Sequence, residues 1–387
     1  MIRACSALVA CALLLAAGSI TAAAAPSTAG MPRTQAATAR HDGRIAFDAC
    51  GDTGCDIYTA NPDGTAVRQV TDNGVSFMPD WSADGRSIAY ASDASGATAI
   101  WIVRANGTHS RQLTPNEADA ANVWPRFAAD GRTVFYTNCF TDECDGGISS
   151  IRTDGSHQRV VTPDSGDSYN IGTPSPDGTR MAFMRWHAGR VLMRVYLKRL
   201  SGSRPRPEIP LTPPALEGWA PDWSPSGADV IFSSNVFANR PNGAIYRVAV
   251  TDGDRPGALR KLTHPRFPLD DWSPAYAPRG DRIVFVSDRR HPLRDDSDLF
   301  IMRSGGGGLH RMALPPRLDG LYVEWPSWST APLEAAAGSG RRSRRRGRLR
   351  AGPRSAQACG DTASWLLRSR RAASAAGLLG NGAARRR

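Results

Sequence analysis

The chain has 387 residues, 22% of them charged and 41% hydrophobic, with a formal net charge of +12 and seven cysteines. That length can bury a large core in one domain or two. The charge suggests a nucleic-acid partner until its position is read. Residues 331–387 hold 14 Arg against two acids, Glu334 and Asp361, while residues 1–330 balance at 34 basic and 34 acidic side chains. A neutral body excludes the electrostatic footprint of a nucleic-acid-binding domain.

The chain opens with Arg3, an apolar stretch from Ala4 to Ala17, and small residues Ala22 to Ala25 before Pro26. This pattern predicts a secretory signal over 1–25 followed by a linker over 26–40. The apolar stretch falls short of the ~20 residues that span a bilayer, and no later stretch approaches that length, so no transmembrane segment is expected. Leu8-Val9-Ala10-Cys11 has the look of a lipobox, which would make the protein a lipoprotein anchored through Cys11, although the apolar run continues through Leu13 to Leu15. The expected location is therefore secreted, periplasmic or at the cell envelope.

Four of the remaining cysteines form matched pairs, Cys50 with Cys55 and Cys139 with Cys144, each pair enclosing four residues and following an apolar triplet. In an exported protein this spacing predicts two short disulfide-closed loops. Metal ligation is the rival reading, but no Cys or His partner recurs nearby, so no metal is expected.

From His41 onward one phrase of residues recurs. Its clearest copy is Pro79-Asp80-Trp81-Ser82-Ala83-Asp84-Gly85, then the apolar Ile88-Ala89-Tyr90, then Ala99-Ile100-Trp101-Ile102, Asn106-Gly107 and Leu113-Thr114. The turn before the apolar triplet falls at Gly43, Gly85, Gly131, Gly178, Gly227 and Gly280, spaced 42, 46, 47, 49 and 53 residues apart. That interval matches one four-stranded propeller blade. The Asp-Gly turns suit tight hairpins because glycine accepts positive φ, and the density of Gly and Pro argues against helices. The first copy lacks its first strand, and Glu324-Trp325-Pro326-Ser327-Trp328-Ser329 supplies an orphan first strand at the other end. Together these features predict an all-β, six-bladed propeller over 41–330, closed by the C-terminal strand pairing into the first blade. The tail over 331–387 is too charged to pack and is expected to be disordered. It could contact an anionic surface or serve no selected role.

Pro-x-Trp-Ser-x-x-Gly-x-x-Ile-x-Phe, followed by Asp-Ile-Tyr and Leu-Thr, resembles the WD40-like repeat of TolB-type propellers, which also occurs beside the hydrolase domain of prolyl-oligopeptidase-type peptidases. The resemblance covers residues 41–330 and implies a binding propeller. TolB carries an α/β domain before its propeller, whereas about 15 residues separate the expected cleavage site from the first blade here. The TolB role in its own system, including binding of a peptidoglycan-associated lipoprotein, is therefore not carried over.

No Gly-x-Ser-x-Gly, His-Glu-x-x-His or phosphate-binding glycine loop occurs, so neither a catalytic residue nor a cofactor is expected. His109, His157, His41 and His310 read as turn residues; His187, His264 and His291 fall on the opposite face. On that face the connections between strands are long and dissimilar, and binding residues collect on such loops. Candidate contacts are Tyr169, Trp186, Phe267, Arg289 and Arg290, with Trp124, Trp219, Asp270 and Glu324 nearer the channel mouth. Packing is the competing role for Trp124 and Trp219. The acidic run Asp288–Asp298 could hold calcium but lacks the spacing of a known calcium loop. The expected function is a monomeric scaffold for a protein or glycan of the envelope; a lyase or glycosidase acting on acidic oligosaccharides, or a sensor domain, are the alternatives.

Overall fold

A computed structural model describes residues 43–117, 119–140, 146–162, 166–187, 193–201, 207–234, 243–266, 268–291 and 296–330. The expected export signal and linker, the Arg-rich tail, Cys144 and Phe267 lie outside these residues. All described residues belong to one compact unit, Arg40–Arg387.

Among the described residues, twenty-four strands form six four-stranded antiparallel sheets. Blade 1 contains β1 (Ile45–Gly51), β2 (Gly54–Ala60) and β3 (Arg68–Gln69). Blade 2 runs β4 (Ser76–Trp81), β5 (Ser87–Ser92), β6 (Ala99–Arg104) and β7 (Arg111–Gln112). Blade 3 runs β8 (Ala121–Phe127), β9 (Thr133–Cys139), β10 (Gly146–Arg152) and β11 (Arg159–Val160). Blade 4 runs β12 (Ser168–Pro174), β13 (Arg180–Trp186), β14 (Arg194–Arg199) and β15 (Ile209–Pro210). Blade 5 runs β16 (Trp219–Trp223), β17 (Asp229–Ser234), β18 (Ala244–Val250) and β19 (Pro256–Lys261). Blade 6 runs β20 (Asp271–Tyr276), β21 (Arg282–Ser287), β22 (Asp298–Arg303) and β23 (His310–Arg311). The last strand, β24 (Tyr322–Trp328), returns to pair with β1 through Ile45↔Trp328 and Asp48↔Glu324 and completes blade 1. The ring is closed as the orphan strand in the sequence predicts.

The recurring residues have physical jobs. In the Ser-x-Asp-Gly turn, the Ser82 hydroxyl donates to Asp84 Oδ1 at 2.6 Å and accepts from Ser87 N–H at 3.0 Å. Gly85 takes φ 66° there, where a β-carbon would be strained. In the Leu-Thr motif, Leu113 N–H bonds Ile100 O at 2.7 Å, while Thr114 Oγ1 accepts from Ile100 N–H at 2.9 Å. Thr71, Thr162, Thr212 and Thr263 repeat that acceptor in blades 1, 3, 4 and 5. Each threonine therefore ends an outer strand without leaving a buried N–H unpaired. The apolar triplets, such as Val230-Ile231-Phe232, are fully buried between neighbouring blades.

Candidate functional site

Each inner strand carries a bulge, and the bulged residue sits at positive φ: Met78 at 56°, Trp124 at 50°, Ile171 at 47°, Ala220 at 49°, Ser273 at 47° and Trp325 at 50°. The ladder registers break at the same six places. Bulky residues avoid this conformation, so the surrounding structure must hold it. Part of the hold comes from strands of the preceding blades: Thr137 Oγ1 accepts from Ile171 N–H at 3.1 Å and Ser233 Oγ from Ser273 N–H at 3.0 Å. Sequence reading missed this ring, although a proline follows the bulged residue in five of the six copies.

The bulges aim side chains at the ring axis. Trp325 of blade 1 meets Trp124 of blade 3 at 5.9 Å and Trp219 of blade 5 at 5.0 Å between ring centroids. These blades are not neighbours in the ring, so the contacts cross the axis. Three indoles thus meet across the channel and plug it, and Trp124, Trp219 and Trp325 are all at least nine-tenths buried.

On the long-loop side of the plug lie two carboxyls paired across β1 and β24, Asp48 and Glu324, both buried. Trp272 Nε1 donates to Glu324 Oε1 at 2.9 Å. Burial, and then the neighbouring Glu324 charge, push the Asp48 carboxyl well above its ordinary range, against backbone hydrogen bonds from Asp48 and Met78 that pull it down. Glu324 is therefore a core group, not a contact at an open mouth.

On the short-turn side the ring position two residues after the bulge holds Asp80, Arg126, Thr173, Asp222, Ala275 and Ser327. Asp80 accepts from Phe127 N–H at 2.8 Å and from the Ser327 hydroxyl at 2.9 Å, and lies 3.8 Å from Arg126. Asp222 accepts from Tyr276 N–H at 2.8 Å. These bonds latch blade 1 to blade 2, blade 2 to blade 3, and blade 5 to blade 6. Burial raises the Asp222 carboxyl to about 6, opposed by the Tyr276 N–H and the Arg126 charge.

The rim of the long-loop face is organised on blades 4 and 6. On blade 4, Arg185 grips Asp167 at 2.5 Å and Glu208 at 2.7 Å, and its guanidinium lies 5.4 Å from the rings of both Tyr169 and Tyr196. Asp167 also receives His187 Nδ1 at 3.0 Å, and His187 Nε2 faces the Tyr196 hydroxyl at 3.4 Å. Tyr169 is buried beneath this network; Trp186 and His187 reach the surface. On blade 6, Arg289 makes a two-pronged ion pair with Asp271, at 2.9 and 2.5 Å, and Asp271 is fully buried. Arg289 therefore neutralises a core carboxylate. Asp270 caps Gly243 N–H at 2.5 Å, while its own N–H donates to Asp288 Oδ1 at 2.7 Å. Arg290 stands more open, 44% exposed, at 3.7 Å from Asp298 and 3.8 Å from Asp319. Arg311 holds the same two carboxylates more closely, at 2.7 and 2.9 Å.

The nine residues expected to bind a partner thus separate. Trp124, Tyr169, Trp219 and Glu324 are buried; Trp186, Asp270, Arg289 and Arg290 reach solvent to different degrees; Phe267 lies outside the described residues. Among the described residues no group of three His, Cys, Asp or Glu side chains could hold a metal ion. The calcium reading of the acidic run falls partly outside the described residues, since 292–295 are not among them. Cys50 and Cys55 form a disulfide. Cys139 is disulfide-bonded too, with Cys144 outside the described residues. No described helix is long and apolar enough to cross a membrane.

No family model matches the chain, and no curated protein matches it. Solved structures do. The chain is similar to TolB from Acinetobacter baumannii at 20% identity and TM-score 0.60, over 74% of this chain and 66% of that one. It thus spans just under two thirds of that protein. It is similar to the putative TolB of Agrobacterium tumefaciens at 20% identity and TM-score 0.54, over 73% of this chain and 98% of that one. A Kuenenia stuttgartiensis hydrazine synthase chain matches at 14% identity and TM-score 0.58, over 74% of this chain and 47% of that one. Likeness at this level of identity speaks for fold alone. Six four-stranded blades, a ring closed by its last strand and these structural neighbours make the described residues between 43 and 330 a six-bladed β-propeller with the fold seen in the TolB structures.

Proposed function

We propose that the chain is exported and acts as a binding scaffold, taking a protein or glycan of the cell envelope on its long-loop face. The observation that carries this reading is the rim of that face, where Trp186, His187 and Arg290 stand at or just past strand ends, His187 backed by Asp167 and Arg290 by Asp298. Aromatic and Arg side chains on a rigid scaffold are the types that anchor interfaces. The short-turn face offers repeated tight turns, and the indole plug keeps a ligand from threading the axis. The Cys50–Cys55 disulfide suits an oxidising compartment.

The test is affinity capture from envelope extracts with the full chain and with a Trp186→Ala/Arg290→Ala variant. Arg290 can be removed without stranding a charge, because Arg311 continues to neutralise Asp298 and Asp319. Loss of a captured partner at least tenfold supports the assigned face; equal capture by both proteins refutes it.

A second reading rests on one arrangement. His187, held at Nδ1 by Asp167, has the geometry of an oriented general base, which suits a lyase or glycosidase on an acidic oligosaccharide. Turnover of such oligosaccharides that His187→Ala abolishes would favour this reading; no turnover would set it aside.

A further inference from the structure

Blade 5 ends differently from the other blades. The outermost strands β3, β7, β11, β15 and β23 are two residues long, whereas β19 runs six residues from Pro256 to Lys261. Its residues are exposed from Pro256 through Arg260, with Leu259 among the large apolar side chains left in solvent at 39%. A long open edge strand is the usual template for pairing with another chain, and most proteins shorten or cover it.

The ladder fixes which groups are free. Leu262 N–H bonds Ile245 O at 2.8 Å, and β19 pairs with β18 through Arg247↔Arg260, Val248↔Leu259 and Tyr246↔Lys261. Antiparallel pairs alternate between bonded and non-bonded. Arg260 and Leu262 therefore turn their main-chain groups inward, and Leu259 and Lys261 turn N–H and C=O outward. Two outward residues offer four main-chain hydrogen bonds to an incoming strand.

Charge selects the occupant. Residues 255–266 contain Arg255, Arg260, Lys261 and Arg266 and no acid. No ion pair engages Arg255 or Arg260 among the described residues, and Lys261 lies 5.8 Å from the Tyr246 ring centroid. A second copy of this edge would set like charges against one another, which destabilises strand pairs. An acidic strand would meet complementary charge instead.

We propose that β19 is a docking edge that adds an extended, acidic segment of a partner protein as a fifth strand of blade 5. This site is separate from the long-loop rim and does not depend on it.

The test uses a fluorescent peptide of alternating Glu and Val, a matched Lys/Val peptide, and a Glu/Val peptide with alternate amides N-methylated, each titrated into the full chain by anisotropy. Leu259→Pro removes an outward N–H that the native ladder does not use, so the edge tolerates it. The Glu/Val peptide should bind, at least tenfold more tightly than either control, and bind weaker as salt rises. Leu259→Pro should weaken it at least tenfold, and Arg255→Glu/Arg260→Glu at least fivefold, the charge variant serving if the proline variant fails to fold. No binding at millimolar peptide would overturn the proposal. So would equal binding of the N-methylated peptide, or binding untouched by either variant. Salt-dependent binding that survives Leu259→Pro would reduce the contact to loose charge attraction and would equally overturn strand pairing.

Discussion

Replacing Arg289 with alanine removes the guanidinium that holds both oxygens of Asp271, at 2.9 and 2.5 Å. Asp271 has no exposure to water at the head of the inner strand of blade 6. A carboxylate left buried and unpaired costs about 3–5 kcal/mol. With a urea slope near ~3 kcal/mol/M, that loss lowers the unfolding midpoint by roughly 1–1.7 M. Removing both partners, as Arg289→Ala/Asp271→Asn, should recover most of the loss, because the penalty belongs to the stranded charge and not to the absent contact. Urea unfolding at neutral pH, followed by tryptophan fluorescence for the two single variants and the double variant, gives the cycle. A single variant within about 0.5 kcal/mol of the parent, the scatter of ordinary surface changes, would refute the assignment of Arg289 to the core and return it to the binding surface.

Three further outcomes are expected. The Asp222 carboxyl is raised to about 6 in the fold, so the native state keeps a proton that the unfolded chain releases. Its stabilisation is complete below about pH 4 and is lost as pH rises through about 6, a change of at most ~3 kcal/mol that solvent at the channel mouth reduces. Asp222→Asn should flatten the stability profile across that window, and an unchanged profile would contradict the burial argument. Trp325→Ala empties the meeting point of three indoles and should cost about 3–5 kcal/mol in denaturant unfolding; a loss under ~1 kcal/mol would show that the plug contributes little. Cys50→Ser/Cys55→Ser opens a short covalent loop and should lower stability by about 2 kcal/mol or less, read as a shift in thermal midpoint under oxidising conditions.

The fold was legible because its signals repeat. Asp-Gly turns at blade-length intervals, a first copy without its inner strand and an orphan Trp-Pro-Ser-Trp at the end settle blade number and closure without reference to side-chain contacts. The bulge ring was not legible. Met78, Trp124, Ile171 and Trp325 are residue types that avoid positive φ, and the proline after five of the six bulged residues marks the position without predicting that conformation. Only the closing of the ring holds them there. The same gap affected the site. Trp124, Trp219 and Glu324 stand on inner strands at or beside the bulges, which in sequence looks like a channel mouth, but all three are buried in the fold. Arg289 and Arg290 are adjacent in sequence and chemically identical, yet one seals buried Asp271 and the other stands in solvent near Asp298 and Asp319. That distinction depends on which carboxylate each guanidinium reaches, Asp271 on the inner strand for Arg289 and Asp298 and Asp319 for Arg290, and local pattern does not carry it.

The most direct test of the binding-scaffold account is a hydrogen-exchange footprint of the full chain with and without its captured envelope partner. The account predicts added protection at residues 185–187 and 288–291, on the long-loop rim of blades 4 and 6. Protection confined to the short turns around Gly85, Gly131 and Gly178, or no change anywhere, would contradict it.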